Sequence, residues 1–548
     1  MAAPAVGRLT PVRIRDRWWV LAAAVTFTSL SILTYLESEE DAFIYYRYAW
    51  NMAHGLGWVF NPGEAVEGFS SPLWMLFVGV VQRLGFDLPR AVPLLGILCG
   101  ALTVVATYAL ARSAGLDRTG RLASVWGVAL AYPLMVWARS GLDTPWYALV
   151  LALFVTTYLA AEHPLAAPAA PWVRPLALLL LPLAAASRPE GVLLLLPVMF
   201  DRWRCGRDGR GAGRYLAALG LGYGLLLVWR FGTYGSLLPN TGVKIHPEYI
   251  WRSSYQLLTF VAYFAGLLWL APLLAWLRRR LDRRLSFILL VVLTVTVVYQ
   301  LGVGGDQKWY FRFCVPALPL LMVLFWGSLA ALLGERAVRW PAWGRGALTG
   351  GLLVVLLTTS LIDMGRVFQT PNALARVAQE WADPYASIEP LPFSDRAHVV
   401  MARWIADNLP DGSVVAYGQM GKAPYYALTQ GRDIRFIDTL GLTDRTIGQI
   451  YSLPSRVEGV VRALRAGDSL SAALSTTRHG LAARLQDYLL RERQPDAIIV
   501  ETRLAGDLFL ASLLASAQFR HDYELVAVVP PGPNPYAAVY ARRPTPDP

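Results

Sequence analysis

Residues 40–74 read EDAFIYYRYAWNMAHGLGWVFNPGEAVEGFSSPLW and follow directly on the first apolar run of membrane length, Trp18 to Leu36. A helix macrodipole is negative at its C-terminal end, so Glu37, Glu39, Glu40 and Asp41 are poorly placed as mere helix ends. Two readings fit them. They open a following helix, whose N-terminal dipole favours acids, or they form an acid cluster at a membrane surface, held for proton transfer or cation binding. The two are compatible. After Asp41, Phe43, Tyr46 and Trp50 recur at helical spacing and Gly55 is placed as a C-cap, which predicts a helix lying among lipid headgroups with its aromatic stripe as anchor. Asn61-Pro62-Gly63 is a turn that returns Glu64 and Glu67 toward the same surface.

Composition extends this reading to most of the chain. With 548 residues, 55% apolar content, 20 Trp and a mean hydropathy of +0.40, the class is α-helical multi-span membrane protein. Spans are predicted over 18–36, 91–111, 121–138, 146–161, 215–231, 255–277, 285–302, 313–333 and 347–364. A shorter pair, 175–187 and 191–201, is broken by Ser187-Arg188-Pro189-Glu190-Gly191. The run 72–84 is too short to cross ~30 Å of hydrocarbon as a helix and reads as interfacial. The first span is too long, and lacks the small-residue cleavage site, for a cleaved signal peptide.

The net charge of +12 would point to nucleic acid in a soluble chain. Here the arginines mark loops. Arg8, Arg13, Arg15 and Arg17; Arg112, Arg118 and Arg121; Arg202 to Arg214; Arg278 to Arg284; and Arg336 to Arg345 all fall on one side when eleven spans are drawn. The positive-inside rule makes that side cytoplasmic. The N-terminus is then inside and residues 365–548 outside. Five polar stretches land on the outer side: Glu40-Asp41, Arg139–Thr144 (RSGLDT), Arg188 with Glu190, Pro239–His246 (PNTGVKIH) and Gly304–Arg312 (GGDQKWYFR). Their convergence predicts a site on that face. Of 50 basic residues, only Lys244, Lys308 and Lys422 are lysines. Two of them lie in these stretches, beside Asn240 and Asp306, where a compact ammonium suits a phosphate.

Cys99, Cys205 and Cys314 give the outer region no disulfide and no zinc site. HExxH, GxxxxGK[ST] and GxSxG are all absent, so neither an ATP-driven pump nor a serine hydrolase has sequence support. A Pro- and acid-rich linker, 382–395, precedes a segment that alternates helix and strand. It comprises an amphipathic helix Arg396–Asn408, strands at Ser413–Gly418, Arg435–Asp438 and Ala497–Val500, and a terminal hairpin of Glu524–Val529 and Ala537–Ala541. That pattern predicts an α/β domain over 365–548, behind a membrane-embedded domain over 1–364. Asp438 in DTLGLTD reads as a turn residue or as a sugar or ion ligand.

The order of motifs, from EDAFIYYRYAWNMAHGLGWVFNPGEAVEG through SGLDT, RPEG, LLPNTGVK and GGDQKWYFR to DTLGLTD, resembles bacterial GT-C glycosyltransferases. Those are membrane enzymes that use polyprenyl-phosphate sugars. The likeness spans nearly the whole chain and is nearest to the mycobacterial terminal arabinofuranosyltransferases of the B type. It implies a donor such as a decaprenyl-phosphate sugar and a cell-envelope glycan or glycolipid acceptor outside the bacterial cytoplasmic membrane. It also implies a catalytic carboxylate in the first outer loop. The family's acidic pair maps onto Glu40 and Asp41, with Glu where Asp is usual, and Ser70-Ser71 stands where relatives often carry Thr-Asn. Asp41 is the expected general base, with Glu40 holding the acceptor or tuning Asp41 through like charge. Arg47, Lys244, Lys308 and Arg312 are the expected phosphate-binding cations. Asn61, Glu64, Glu67, Asp143, Arg188, Glu190, Asn240, His246 and Asp306 are the expected pocket. Whether a divalent metal ion assists is left open. A secondary transporter or flippase would also use broken spans but would show internal repeats; a ligase moving an oligosaccharide from a diphosphate lipid is the closest enzymatic alternative.

Overall fold

The computed structural model describes residues 14–34, 38–165, 168–204, 209–246, 249–306, 308, 310–334, 341–369, 375, 397–501, 508–529 and 536–544. The linker 382–395 and the hairpin turn 530–535 lie outside them. The helices run in chain order α1 (Ile14–Leu33), α2 (Ala42–Ala53), α3 (Pro72–Arg83), α4 (Leu88–Ser113), α5 (Arg118–Ala129), α6 (Tyr132–Arg139), α7 (Thr144–Glu162), α8 (Val173–Ser187), α9 (Leu195–Arg204), α10 (Gly209–Tyr234), α11 (Ile250–Tyr263) and α12 (Leu267–Leu277). There follow α13 (Arg283–Val303), α14 (Leu318–Leu333), α15 (Ala342–Gln369) and α16 (Ala397–Asn408).

Among the described residues six helices are long and apolar enough to cross a membrane, or eight if two bent pairs each count as one span, against the eleven expected. The differences have local causes. The span expected over 121–138 bends by 51° between α5 and α6, where Pro133 stands in the first turn of α6. The span expected over 255–277 bends by 94° between α11 and α12, because Ala265 and Gly266 both take positive φ. It is a right-angled break and not one straight helix. The lone helix α8 is apolar but short. Along α10 the side chains of Leu221, Leu225, Val228 and Phe231 are 62–73% exposed, the surface of a helix facing hydrocarbon rather than a protein core.

The strands are confined to the last third of the chain. They are β1 (Val414–Tyr417), β2 (Arg435–Asp438), β3 (Ala497–Glu501), β4 (Tyr523–Val529) and β5 (Ala537–Arg542), in one sheet of order β2-β1-β3-β5-β4. The pairs β1–β2 and β1–β3 are parallel, whereas β5 pairs antiparallel with β3 and β4. The strands stand where alternation places them, within a residue or two, and the terminal hairpin forms as expected. Helix α17 (Lys422–Thr429) connects β1 to β2, as a parallel pair requires. Helix α2 is where the two parts meet. Phe43 and Tyr46 are buried and pack edge-on against Tyr425 and Tyr426 of α17. The stripe expected to anchor in headgroups is therefore an internal seam; Trp50 alone is partly open, stacked on His54.

Candidate functional site

Asp41 sits at the N-cap of α2, but its side chain makes no capping bond there. It turns instead toward the loop before α14, with Lys308 Nζ at 3.8 Å and Arg312 Nη1 at 3.7 Å, and stays 20% exposed. Lys308 also pairs with Glu39. Arg312 grips Asp306 with two nitrogens, at 2.7 and 3.2 Å. Beside this group stands a second: Arg188 reaches Glu190 at 2.5 Å and Asp143 at 3.4 Å. One ring links them, since the Arg188 and Arg312 guanidiniums lie 5.3 and 5.2 Å from the centre of Phe313. Burial alone would lower the Lys308 ammonium, yet Asp41 and Glu39 outweigh it and hold it above the ordinary lysine value. Arg312 is raised likewise, against burial, by Asp306 and Asp41.

Three motifs bring their charges to the EDAF loop, each through its own local backbone. In GGD, Gly304 (φ +83°) and Gly305 (φ +77°) leave room for the His246 backbone and for Ser253. His246 N–H donates to Val303 at 2.8 Å, and the Asp306 N–H donates to the Gln256 side chain at 2.7 Å. Tyr310 and Phe311 adopt φ of +55° and +59°, a conformation that non-glycine residues take at an energy penalty and that clusters at functional sites. In SGLDT, Gly141 (φ +84°) lets Ala42 and Tyr46 of α2 come close, while Ser140 accepts from the Glu39 N–H at 2.9 Å. In RPEG, Pro189 starts a short 3-10 turn after extended Arg188, which points the arginine back at Asp143.

The remaining expected site residues do something else. Arg47 is buried and fully engaged: Nε donates to Phe60 at 2.9 Å, and the terminal nitrogens donate to Pro424 at 2.9 Å and Ile434 at 3.0 Å. Its guanidinium is packed against Phe60 and Phe436, and burial lowers its pKa to about 9. It is a clamp between α2 and the sheet region, not a phosphate ligand. Asn61 pairs with the Phe436 backbone, donating at 2.7 Å and accepting at 3.1 Å. Glu64 faces Arg493 at 3.3 Å and Arg435 at 3.6 Å. Asn240 donates to Gly441 at 2.7 Å and to Asp444 at 2.9 Å, and His246 meets Arg456 at 2.5 Å. All four are drawn into a docking seam where an open pocket was expected. Glu67 is buried against Arg230 at 2.9 Å, and burial pushes its carboxyl up to about 7 against the pull of Arg230. Asp438 accepts from the N–H groups of Leu440, Gly441 and Thr443 in its own turn, the turn-residue reading. The Lys244 side chain lies outside the described residues.

Glu40 departs furthest from expectation. Its carboxylate accepts from the backbone N–H of Gly421 at 2.6 Å and of Lys422 at 3.1 Å. Sequence reasoning did not single out Phe313, Gln256 or Arg230. Each has a partner distant in the chain, Arg188 for Phe313, Asp306 for Gln256 and Glu67 for Arg230, and none stands within a charged motif. Among the described residues no three His, Cys, Asp or Glu side chains stand close enough together to hold a metal ion.

With that geometry in place, comparison gives the fold its class. ArnT from Cupriavidus metallidurans, solved with undecaprenyl phosphate bound, superposes at a TM-score of 0.54 with 15% identity, covering 97% of this chain and 98% of that one. The oligosaccharyltransferase AglB from Archaeoglobus fulgidus, solved with an inhibitory peptide and a dolichol-phosphate, gives 0.54 and 13% over 90% of this chain and 70% of that one. The chain has the GT-C fold these proteins share. Mycobacterial arabinofuranosyltransferase AftD also aligns, at 0.48 and 16% identity over 96% of this chain and 41% of that one, too distant to bear on the sugar. Residues 387–542 match a family described as Domain of unknown function (DUF8728). No curated protein sequence matches the chain significantly.

Proposed function

We propose that this chain is a membrane glycosyltransferase that moves a single sugar from a polyprenyl-phosphate donor to a glycan or lipid acceptor of the bacterial cell envelope. The observation that carries the reading is Asp41, part-exposed and flanked by Lys308 and Arg312. An acceptor hydroxyl attacks the anomeric carbon, its proton passes to Asp41, and the bond from that carbon to the phosphate oxygen breaks. The polyprenyl phosphate leaves with the electron pair. General-base catalysis of this kind is worth roughly 10²–10⁴ in rate, and a single displacement inverts the anomeric centre. Charge developing on the departing phosphate falls to Lys308 and Arg312, which are preorganised and half-dry. Arg188, Asp143 and Glu190 stand behind them as the wall nearest the sugar.

A lipid-phosphate donor carries its own leaving group, so no nucleotide-binding fold is needed, and its tail requires the bilayer. The reading therefore includes the eleven-span topology, with a cytoplasmic N-terminus and with the site and the region 365–548 outside. A pentose such as arabinofuranose is the first sugar to try, on the strength of the motif resemblance. The equal likeness of the fold to an oligosaccharyltransferase keeps transfer of a whole oligosaccharide as the second reading, with a diphosphate lipid as the donor to try. The deciding experiment incubates the purified protein with an acceptor glycan and a panel of polyprenyl-phosphate monosaccharides and one diphosphate-linked oligosaccharide. One monosaccharide donor is expected to be consumed, with release of polyprenyl phosphate, and Asp41→Asn should reduce the rate by about 10² or more. Consumption of the diphosphate donor alone, or full activity in Asp41→Asn, would overturn the proposal.

A further inference from the structure

The two adjacent acids of the first loop meet different partners, Asp41 the cations Lys308 and Arg312 and Glu40 the backbone at Gly421 and Lys422, and the contact of Glu40 gives the C-terminal region a role. Strand β1 lies between β2 on one side and β3 on the other. The segment Gly418–Gly421 leaves its carboxyl end at the point where the parallel order reverses. In open α/β sheets this is the crevice that receives a ligand, and the free N–H groups of the helix that starts there favour an anion. Here the crevice is filled from within the chain. The Glu40 carboxylate accepts from Gly421 and Lys422 at the start of α17.

Four further contacts tie the same joint. A Cβ on Gly421 would collide with the Glu40 backbone oxygen and lie 2.6 Å from its carboxyl carbon, so only glycine permits the approach. The Lys422 ammonium lies 5.6 Å from the centre of the Phe43 ring. Tyr425 and Tyr426 meet the same ring at 5.6 and 5.2 Å.

We propose that Glu40 is a positioning residue: through it the 387–542 region clasps the first loop and fixes where the Asp41 carboxylate stands. This rests on the reading of Asp41 as the base. It removes Glu40 from acceptor binding and makes the C-terminal region part of the catalytic apparatus instead of a separable module.

The test uses the full chain in nanodiscs. Glu40→Ala should lower kcat by about 10²-fold, the scale of a misplaced catalytic group, with donor KM within about twofold of wild type. Glu40→Gln keeps an oxygen able to accept both N–H bonds and should restore most of kcat. Gly421→Ala attacks the clasp from its other side, with Glu40 intact, and should resemble Glu40→Ala. Hydrogen exchange at Gly421 and Lys422 reads the clasp without any enzymology and should accelerate in Glu40→Ala. Wild-type kcat in Glu40→Ala, a Glu40→Gln as inactive as Asp41→Asn, or unchanged protection at Gly421 and Lys422 would each overturn the proposal. Absence of sugar transfer by the wild type with accelerated exchange in the variant would instead reject the glycosyl-transfer reading and leave the clasp standing.

Discussion

At the scale of single residues, the charged groups of this chain sort by what they face rather than by type. Arg47 and Arg312 are both arginines of the sequence motifs, yet the donors of Arg47 are directed mainly to backbone carbonyls while Arg312 serves two carboxylates. A sequence shows that both carry charge; it does not show that Phe60, Pro424 and Ile434 will surround one of them. On the proposed reading, Lys308 releases its carboxylate partners to take an arriving phosphate. Lys308→Gln should raise donor KM roughly tenfold, since a point-charge phosphate contact is lost, and should weaken inhibition by free polyprenyl phosphate equally. Unchanged values for both would show that the lysine serves only Glu39 and Asp41. Glu67 gives a pH signature. Its carboxyl sits at about 7 in the folded protein against 4.5 ordinarily, so the folded state binds its proton more tightly. That contribution is fully present below pH 4.5 and is lost as pH rises through about 7. Thermal unfolding in detergent between pH 4.5 and 8 should therefore show a fall in stability that Glu67→Gln removes; the same fall in the variant would place its origin elsewhere.

Among the elements, close approach decides more than helix length. The loop RSGLDT reaches α2 because Gly141 sits at φ +84° with Ala42 Cβ only 2.9 Å from where its own Cβ would be. Trp74 of α3 donates to the Gly141 carbonyl at 3.0 Å. Gly141→Ala combines a strained backbone with overpacking, and should destabilise the protein by about 1–3 kcal/mol. It should also move Asp143 relative to Arg188. Thermal unfolding and transfer rate measure the two effects, and a neutral substitution would mean that α2 yields. The helices themselves follow the apolar runs closely, and strands β1 to β5 stand on their alternating segments. The two bent spans were not legible in advance. Pro133 marks the first, but the 94° turn at Ala265-Gly266 depends on a positive φ at an alanine, which no pattern announces.

Across the whole molecule most of the expected site residues divide between an ion cluster and a docking seam. The topology proposal puts both on one side of the bilayer. Leu56, 45% exposed beyond the end of α2, and Arg280, exposed after α12, should lie on opposite sides. In a Cys205→Ser background, Leu56→Cys should react with an impermeant maleimide on intact cells, and Arg280→Cys only after permeabilisation. Reaction of both from outside would break the proposed topology.

What the linear chain settled on its own is the class of fold and the address of the ion cluster. Apolar runs of membrane length, arginine loops and alternating strands are local properties. The motifs EDAF, SGLDT, RPEG and GGD name residues that do gather: Asp41, Asp143, Arg188, Glu190, Asp306, Lys308 and Arg312. Folding decided which of the other charges were left for chemistry. Arg47, Asn61, Glu64, Asn240 and His246 lie hundreds of positions from the backbone and side chains that occupy them. Only when the sheet region docks are their hydrogen bonds filled, and a buried polar group takes whichever partner the docked surface offers.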